Sequence, residues 1–97
     1  MAIGTINHTT LVGNLGKDPK FTEHDNGSQT CHLRIATTNK WKNRETGEWE
    51  ESTDWNDAVA FNGLGKHIAE KFNKGSRIAI SGRLSNGQVI IEDVSRI

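Results

Sequence analysis

Residues 62–75, NGLGKHIAEKFNKG, are the one stretch of this 97-residue chain whose apolar residues recur with a helical period. Leu64, Ile68 and Phe72 fall every four residues, Asn62 stands where a helix cap is expected, and Lys74-Gly75 provides the stop. The spacing predicts a helix of about three turns, with its apolar stripe turned onto whatever flanks it.

What flanks it reads as strand. On the N-terminal side, Thr53–Phe61 alternates, with Trp55, Asp57, Val59 and Phe61 on one side and Asn56, Ala58 and Ala60 on the other. Before that, Glu45-Thr46-Gly47-Glu48 reads as a hairpin tip, and Cys31, Leu33 and Ile35 alternate with His32, Arg34 and Ala36, the period continuing loosely to Trp41. Asp25-Asn26-Gly27-Ser28 is a turn signal. Residues 5–15 form a first strand that turns at Asp18-Pro19, and Gly13 within it suggests a bulge or bend. Beyond the helix, Arg77–Leu84 and Gln88–Ile97 are two more strands around the tight Asn86-Gly87 turn. Three strands, a helix and two strands is the order of an OB-fold. The expected architecture is therefore all-β with one helix: a five-stranded Greek-key barrel, the helix between strands 3 and 4, in a single domain spanning residues 1–97.

Composition narrows the function. With 33% hydrophobic and 25% charged residues the chain suits an ordinary globular domain. No apolar run, Val89-Ile90-Ile91 included, is long enough to span a bilayer, and MAIGTINHTT lacks the pattern of a signal peptide, so no membrane partner and a cytoplasmic location are expected. Cys31 is the sole cysteine and has no disulfide partner within the chain. The net charge of zero hides an uneven distribution: residues 45–57 hold six acids and no base, leaving twelve bases against six acids elsewhere.

The three tryptophans all lie in residues 40–55, KWKNRETGEWEESTDW, among Lys, Arg, Glu and Asp. A tryptophan on a strand is usually core, but burying all three here would carry charges inside with them. Exposed rings beside Lys40, Lys42 and Arg44 instead form a stacking platform with phosphate partners, the combination that holds single-stranded nucleic acid without regard to sequence.

In order and spacing, LVGNLGKDP (11–19), the NG turn (26–27), IATTNKW (35–41), TGEWEESTDW (46–55), VAF (59–61) and KGSRIAISGRL (74–84) resemble the bacterial single-stranded DNA-binding protein family. The resemblance covers about the first 84 positions and implies an OB barrel that assembles into a homo-oligomer, tetramer or dimer, and wraps single-stranded DNA in replication, recombination and repair. It places Trp41, Trp55 and Phe61 at family stacking positions and Lys74 at a basic position near phosphates; Trp49 is not at a usual stacking position and reads either as a local extra contact or, the reading favoured here, as a brace packed across the hairpin. With Arg34, Lys40, Lys42 and Arg44 these residues form the expected DNA-binding set.

The chain also departs from the family pattern. Its last hairpin is only SNGQ, without the family's further stacking tryptophan; Asn62-Gly63-Leu64 replaces Gly-Lys-Leu; Asp57 stands where arginine is usual; and Asn56 stands where histidine is common at the subunit contact. The sequence stops at Ile97 before any acidic tail of the family type, which implies either action without tail-mediated replication partners or a truncated or divergent version, as from a phage or plasmid.

Chemistry is not expected. Cys31 and His32 are adjacent on a strand and point to opposite faces. The four histidines show no metal-ligand spacing, and no phosphate-binding loop is present, so neither a metal nor a cofactor is implied and the chain reads as a non-enzyme. Two other binding classes use the same surface: a protein-assembly module of primosome type, and an OB-fold RNA binder.

Overall fold

The computed structural model describes residues 4–96. It contains β1 (Thr9–Leu15), β2 (Lys20–Glu23), β3 (Gln29–Lys42), β4 (Trp49–Phe61), α1 (Asn62–Lys71), β5 (Arg77–Ser85) and β6 (Gln88–Arg96). The strands run β1-β5-β6-β4-β3-β2, and a second pairing of β1 with β3 closes five of them into a barrel. All pairings are antiparallel except β4 with β6. Closure removes the open edges that a flat sheet would expose.

The fifth expected strand is in place, but so is a sixth, and the helix lies between β4 and β5 rather than between the third and fourth strands. The difference is β2. Asn14 and Leu15 pair with Ala36 and Ile35, and the same edge of β3 then takes Lys20–Glu23 opposite His32–Gln29. β1 and β2 are thus one line of pairing interrupted at residues 16–19. There Pro19 has no N–H for the ladder, and the Asp18 carboxylate turns away to accept the Lys74 backbone N–H at 2.7 Å.

Other boundaries also moved. Thr5–His8 lie outside the first strand; Asn7 instead clamps the Leu84 backbone, donating to its carbonyl and accepting from its N–H at 2.7 and 2.9 Å. Gly13 carries no register shift. It sits where β1 passes between β3 and β5, and a Cβ there would strike the carbonyl oxygen of Ala36. The bulge falls in β6: Ser81 pairs with Asp93 and Gly82 with Ile91, leaving Glu92 extra. The expected end of the last strand, Ile97, lies outside the described residues.

The helix does not use Asn62 as its cap. Phe61 holds that position with no side-chain bond, while Asn62 adopts φ 52° and its Oδ1 accepts the Gln29 N–H at 3.2 Å. Asparagine tolerates this left-handed backbone because its short amide bonds locally. At the other end Arg96 donates to the Lys71 carbonyl and stacks on Phe72, its guanidinium 5.0 Å from the ring centre. Ile68 and Phe72 plug the barrel as expected, with Leu64 half-buried against it.

The core is the set of inward residues these pairings create: Leu15, Cys31, Leu33, Ile35, Ala58, Ala60, Ile78, Ile80, Val89 and Ile91 beneath the helix. Cys31 is fully covered, and burial pushes its thiol up to about 11. Iodoacetamide at about pH 8 should therefore leave the native protein unmodified and alkylate it in urea. The sign of the linkage is fixed: above about pH 9 the unfolded thiol ionises while the folded one keeps its proton. The urea midpoint should fall as pH rises from about 9 to about 11, and fall less in Cys31→Ala.

Candidate nucleic-acid interface

The β3–β4 ladder keeps one register from Thr30↔Phe61 to Lys42↔Trp49. Residues directly opposite in an antiparallel pair share a face, so this register sorts every side chain on the two strands. One face carries the Cys31–Ala60, Leu33–Ala58 and Ile35–Asn56 pairs, which line the barrel. Farther out, past the last barrel strand, the same face carries Thr37–Asp54, Asn39–Ser52 and Trp41–Glu50. The other face carries Thr30–Phe61, His32–Val59, Arg34–Asp57, Ala36–Trp55, Thr38–Thr53, Lys40–Glu51 and Lys42–Trp49. The outer half of the hairpin is a ribbon in solvent, with residues 37–42 and 49–55 exposed or half-buried.

Five members of the expected set, Arg34, Lys40, Lys42, Trp55 and Phe61, are brought to this second face. Trp41 is placed on the other, opposite Glu50 and with no basic side chain among its ladder neighbours. Arg44 lies in the tip, where Asn43 organises the turn: its N–H donates to Glu48 O at 2.8 Å, and its Oδ1 accepts from the N–H groups of Glu45 and Thr46 at 2.8 and 3.3 Å. Gly47 takes φ 75° to complete it.

Trp55 is the organised centre. Its ring is half-exposed and rests on Gly16 so closely that a Cβ there would enter the six-membered ring. The Arg34 guanidinium lies 5.5 Å from the ring centroid. Arg34 therefore turns to the ring although Asp57 is its ladder partner. The interruption after β1 also ties the Lys74 corner to this place: Gly16 N–H donates to Arg34 O at 3.0 Å, Gly75 N–H to Leu15 O at 2.9 Å, and Lys74 N–H to Asp18.

Trp49 does not brace the hairpin as expected, being 72% exposed. It walls a shallow groove with Lys40, Glu50 and Glu51. Lys40 and Glu51 form the one ion pair among the described residues, at 3.8 Å, with both side chains mostly in solvent. Gly16 was missed as a site residue, since a glycine before Lys-Asp-Pro gives no signal beyond a turn. Asn56, at the expected subunit contact, is half-buried and donates to Thr37 Oγ1 at 3.1 Å and to Ile35 O at 3.3 Å. It is therefore engaged within its own hairpin.

Comparison with known proteins agrees with this fold. The fold superposes on Plasmodium falciparum SSB, solved in complex with ssDNA, with a TM-score of 0.84 over all of this chain and 99% of that one, at 21% identity. Single-stranded DNA-binding protein 1 of Xylella fastidiosa (strain 9a5c) is 39% identical over 82 residues, or 84% of this chain; the aligned region spans 60% of that protein. The model of the Single-strand binding protein family matches residues 6–94. With nearly its whole length matched, the chain belongs to the single-strand binding protein family.

Proposed function

We propose that the chain is a non-catalytic binder of single-stranded DNA, tolerant of sequence, that protects exposed strands in the cytoplasm during replication, recombination and repair. The observation that carries this reading is Trp55: a half-exposed ring fixed between Gly16 and Arg34, with Phe61 on the same face and in a chain of this family. A ring so placed offers its free surface to any base, and a stacked base contributes about 1–3 kcal/mol. Arg34, Lys40, Lys42, Arg44 and Lys74 serve the phosphates. Asp57 is opposite Arg34 in the ladder, but Arg34 turns to the Trp55 ring and forms no ion pair with it among the described residues, so Asp57 opposes phosphate on this face. Trp41 acts from the opposite side of the ribbon, so a strand that uses both Trp41 and Trp55 must pass over its edge.

The face holding Trp41, Glu50 and Asp54 gives separate support to a second reading, a protein-assembly module. RNA binding uses the same stacking surface, and titration with oligo-dT against oligo-U separates the two nucleic acids. We also infer assembly into a homo-oligomer, tetramer or dimer, supported by family membership and by Val12 standing 42% exposed on the outer side of β1. Light scattering at micromolar concentration should give a mass two or four times that of the chain; a mass of 10.7 kDa refutes it.

Trp55→Ala should weaken oligo-dT binding by about 1–3 kcal/mol and mixed-sequence oligonucleotides equally; unchanged affinity removes Trp55 from the site. Five phosphate contacts set a slope of about −3.5 for log K against log salt. Gly16→Val should displace the Trp55 ring and weaken binding by up to about the same margin, with the far-UV circular dichroism retained.

A further inference from the structure

We propose that Trp49 is an additional base-stacking position, the outer end of a track that runs along β4 from Phe61 through Trp55. The inference rests on the single-strand-binding reading above and extends it to a residue at the ribbon tip. Phe61, Trp55 and Trp49 are six residues apart in each case, so strand alternation puts all three on one face. Their ladder partners Thr30, Ala36 and Lys42 say the same. At about 3.3 Å per residue the anchor points lie about 20 Å apart. Exposure rises outward, from 45% at Phe61 and 50% at Trp55 to 72% at Trp49.

The surroundings of Trp49 fit a nucleotide. Lys42 stands directly opposite, supplying a cation on the same face for a phosphate. Between Trp55 and Trp49 the only acid on this face is Glu51, and Lys40 neutralises it across the ladder at 3.8 Å. Because 68% of the Lys40 side chain is already in solvent, that lysine can exchange its carboxylate for a phosphate without uncovering anything. The groove lined by Trp49, Lys40, Glu50 and Glu51 then offers a base the apolar face of the ring and the backbone the Lys40 cation, with Glu51 already paired to that lysine. A structural role is the weaker account: a bracing ring would be covered by the opposite strand, and the tip is already closed by the bonds of Asn43. The right-handed twist of a two-stranded ribbon turns the face gradually, and a flexible single strand follows such a path. The hairpin at Ser85–Gln88 carries no aromatic residue, and the ribbon tip supplies the third ring of the track.

The test uses the whole chain. Trp41→Phe combined with Trp55→Phe leaves Trp49 as the only tryptophan of the three. This variant is titrated with end-labelled oligo-dT of about 16 nucleotides, following label anisotropy and tryptophan emission together. Quenching of Trp49 that saturates with the anisotropy supports the track. In the parent background, Trp49→Ala should cost roughly 5- to 150-fold in affinity for the same oligonucleotide, with less loss for one of about 6 nucleotides, and Trp49→Phe should recover most of it. If anisotropy rises while Trp49 emission stays constant and Trp49→Ala binds like the parent, Trp49 lies off the DNA path and the single-strand-binding reading stands. If the parent chain gives no anisotropy change with either oligonucleotide, both are overturned.

Discussion

The antiparallel ladder of β3 and β4 holds one register along its whole length, although its two halves live in different surroundings. The inner half is barrel wall, its Cys31, Leu33, Ile35, Ala58 and Ala60 side chains closed off from water. The outer half is a free ribbon whose hydrogen bonds come only from its own two strands and the tip. Because side chains alternate with a period of two, a slip of one residue would move Ile35 outward and Arg34 inward. That cost falls entirely on the buried half, which therefore fixes the register for the exposed half as well. The positions of Trp49, Trp55 and Lys40 are thus determined by packing well away from them.

This coupling explains how a chain of zero net charge can present a surface suited to a polyanion. The acids of β4 divide evenly between the two faces of the ladder, two on each, whereas Arg34, Lys40 and Lys42 all fall on one. Glu50 and Asp54 fall on the face of Trp41, where the Asn43 and Asn39 amides donate to them at 3.3 Å. On the face of Trp55, Glu51 is held by Lys40, and Asp57 lies opposite Arg34. Solvent screening over roughly 8–10 Å lets the two faces of one ribbon act with different signs.

The strongest signals in the sequence were those in which local chemistry and burial agree. The Leu64, Ile68, Phe72 period gave the helix, Asn86-Gly87 gave a turn in which both residues take positive φ, and the Cys31, Leu33, Ile35 alternation gave a core wall. Illegible features depended on partners distant in sequence. Lys20–Glu23 is too short to announce itself and is strand only because β3 offers an edge. Asn62 looks like a cap, yet its amide is drawn to Gln29, thirty-three residues earlier. Within the site, the common face of Trp49, Trp55 and Phe61 follows from their spacing on a single strand and was open to reading. The face of Trp41 depends on how many residues the tip contains, which the sequence leaves ambiguous until Asn43 is seen to bond Glu48 and Gly47.

Along the outer face of the ladder, preorganisation falls as exposure rises. Phe61 adjoins the helix start. Trp55 is seated on a glycine and covered on one side by a guanidinium, so little side-chain entropy is left to lose when a base stacks on it. Trp49 has neither support. A ring that must be ordered at the moment of contact gives a smaller net gain than one already held, even for the same stacked area. On the proposed track a strand would therefore engage first and most tightly at Trp55, and the tip would add affinity only after the strand is already anchored. Such an arrangement lets the outer contact form and break while the inner one persists, which suits a protein that must hold single strands and still release them.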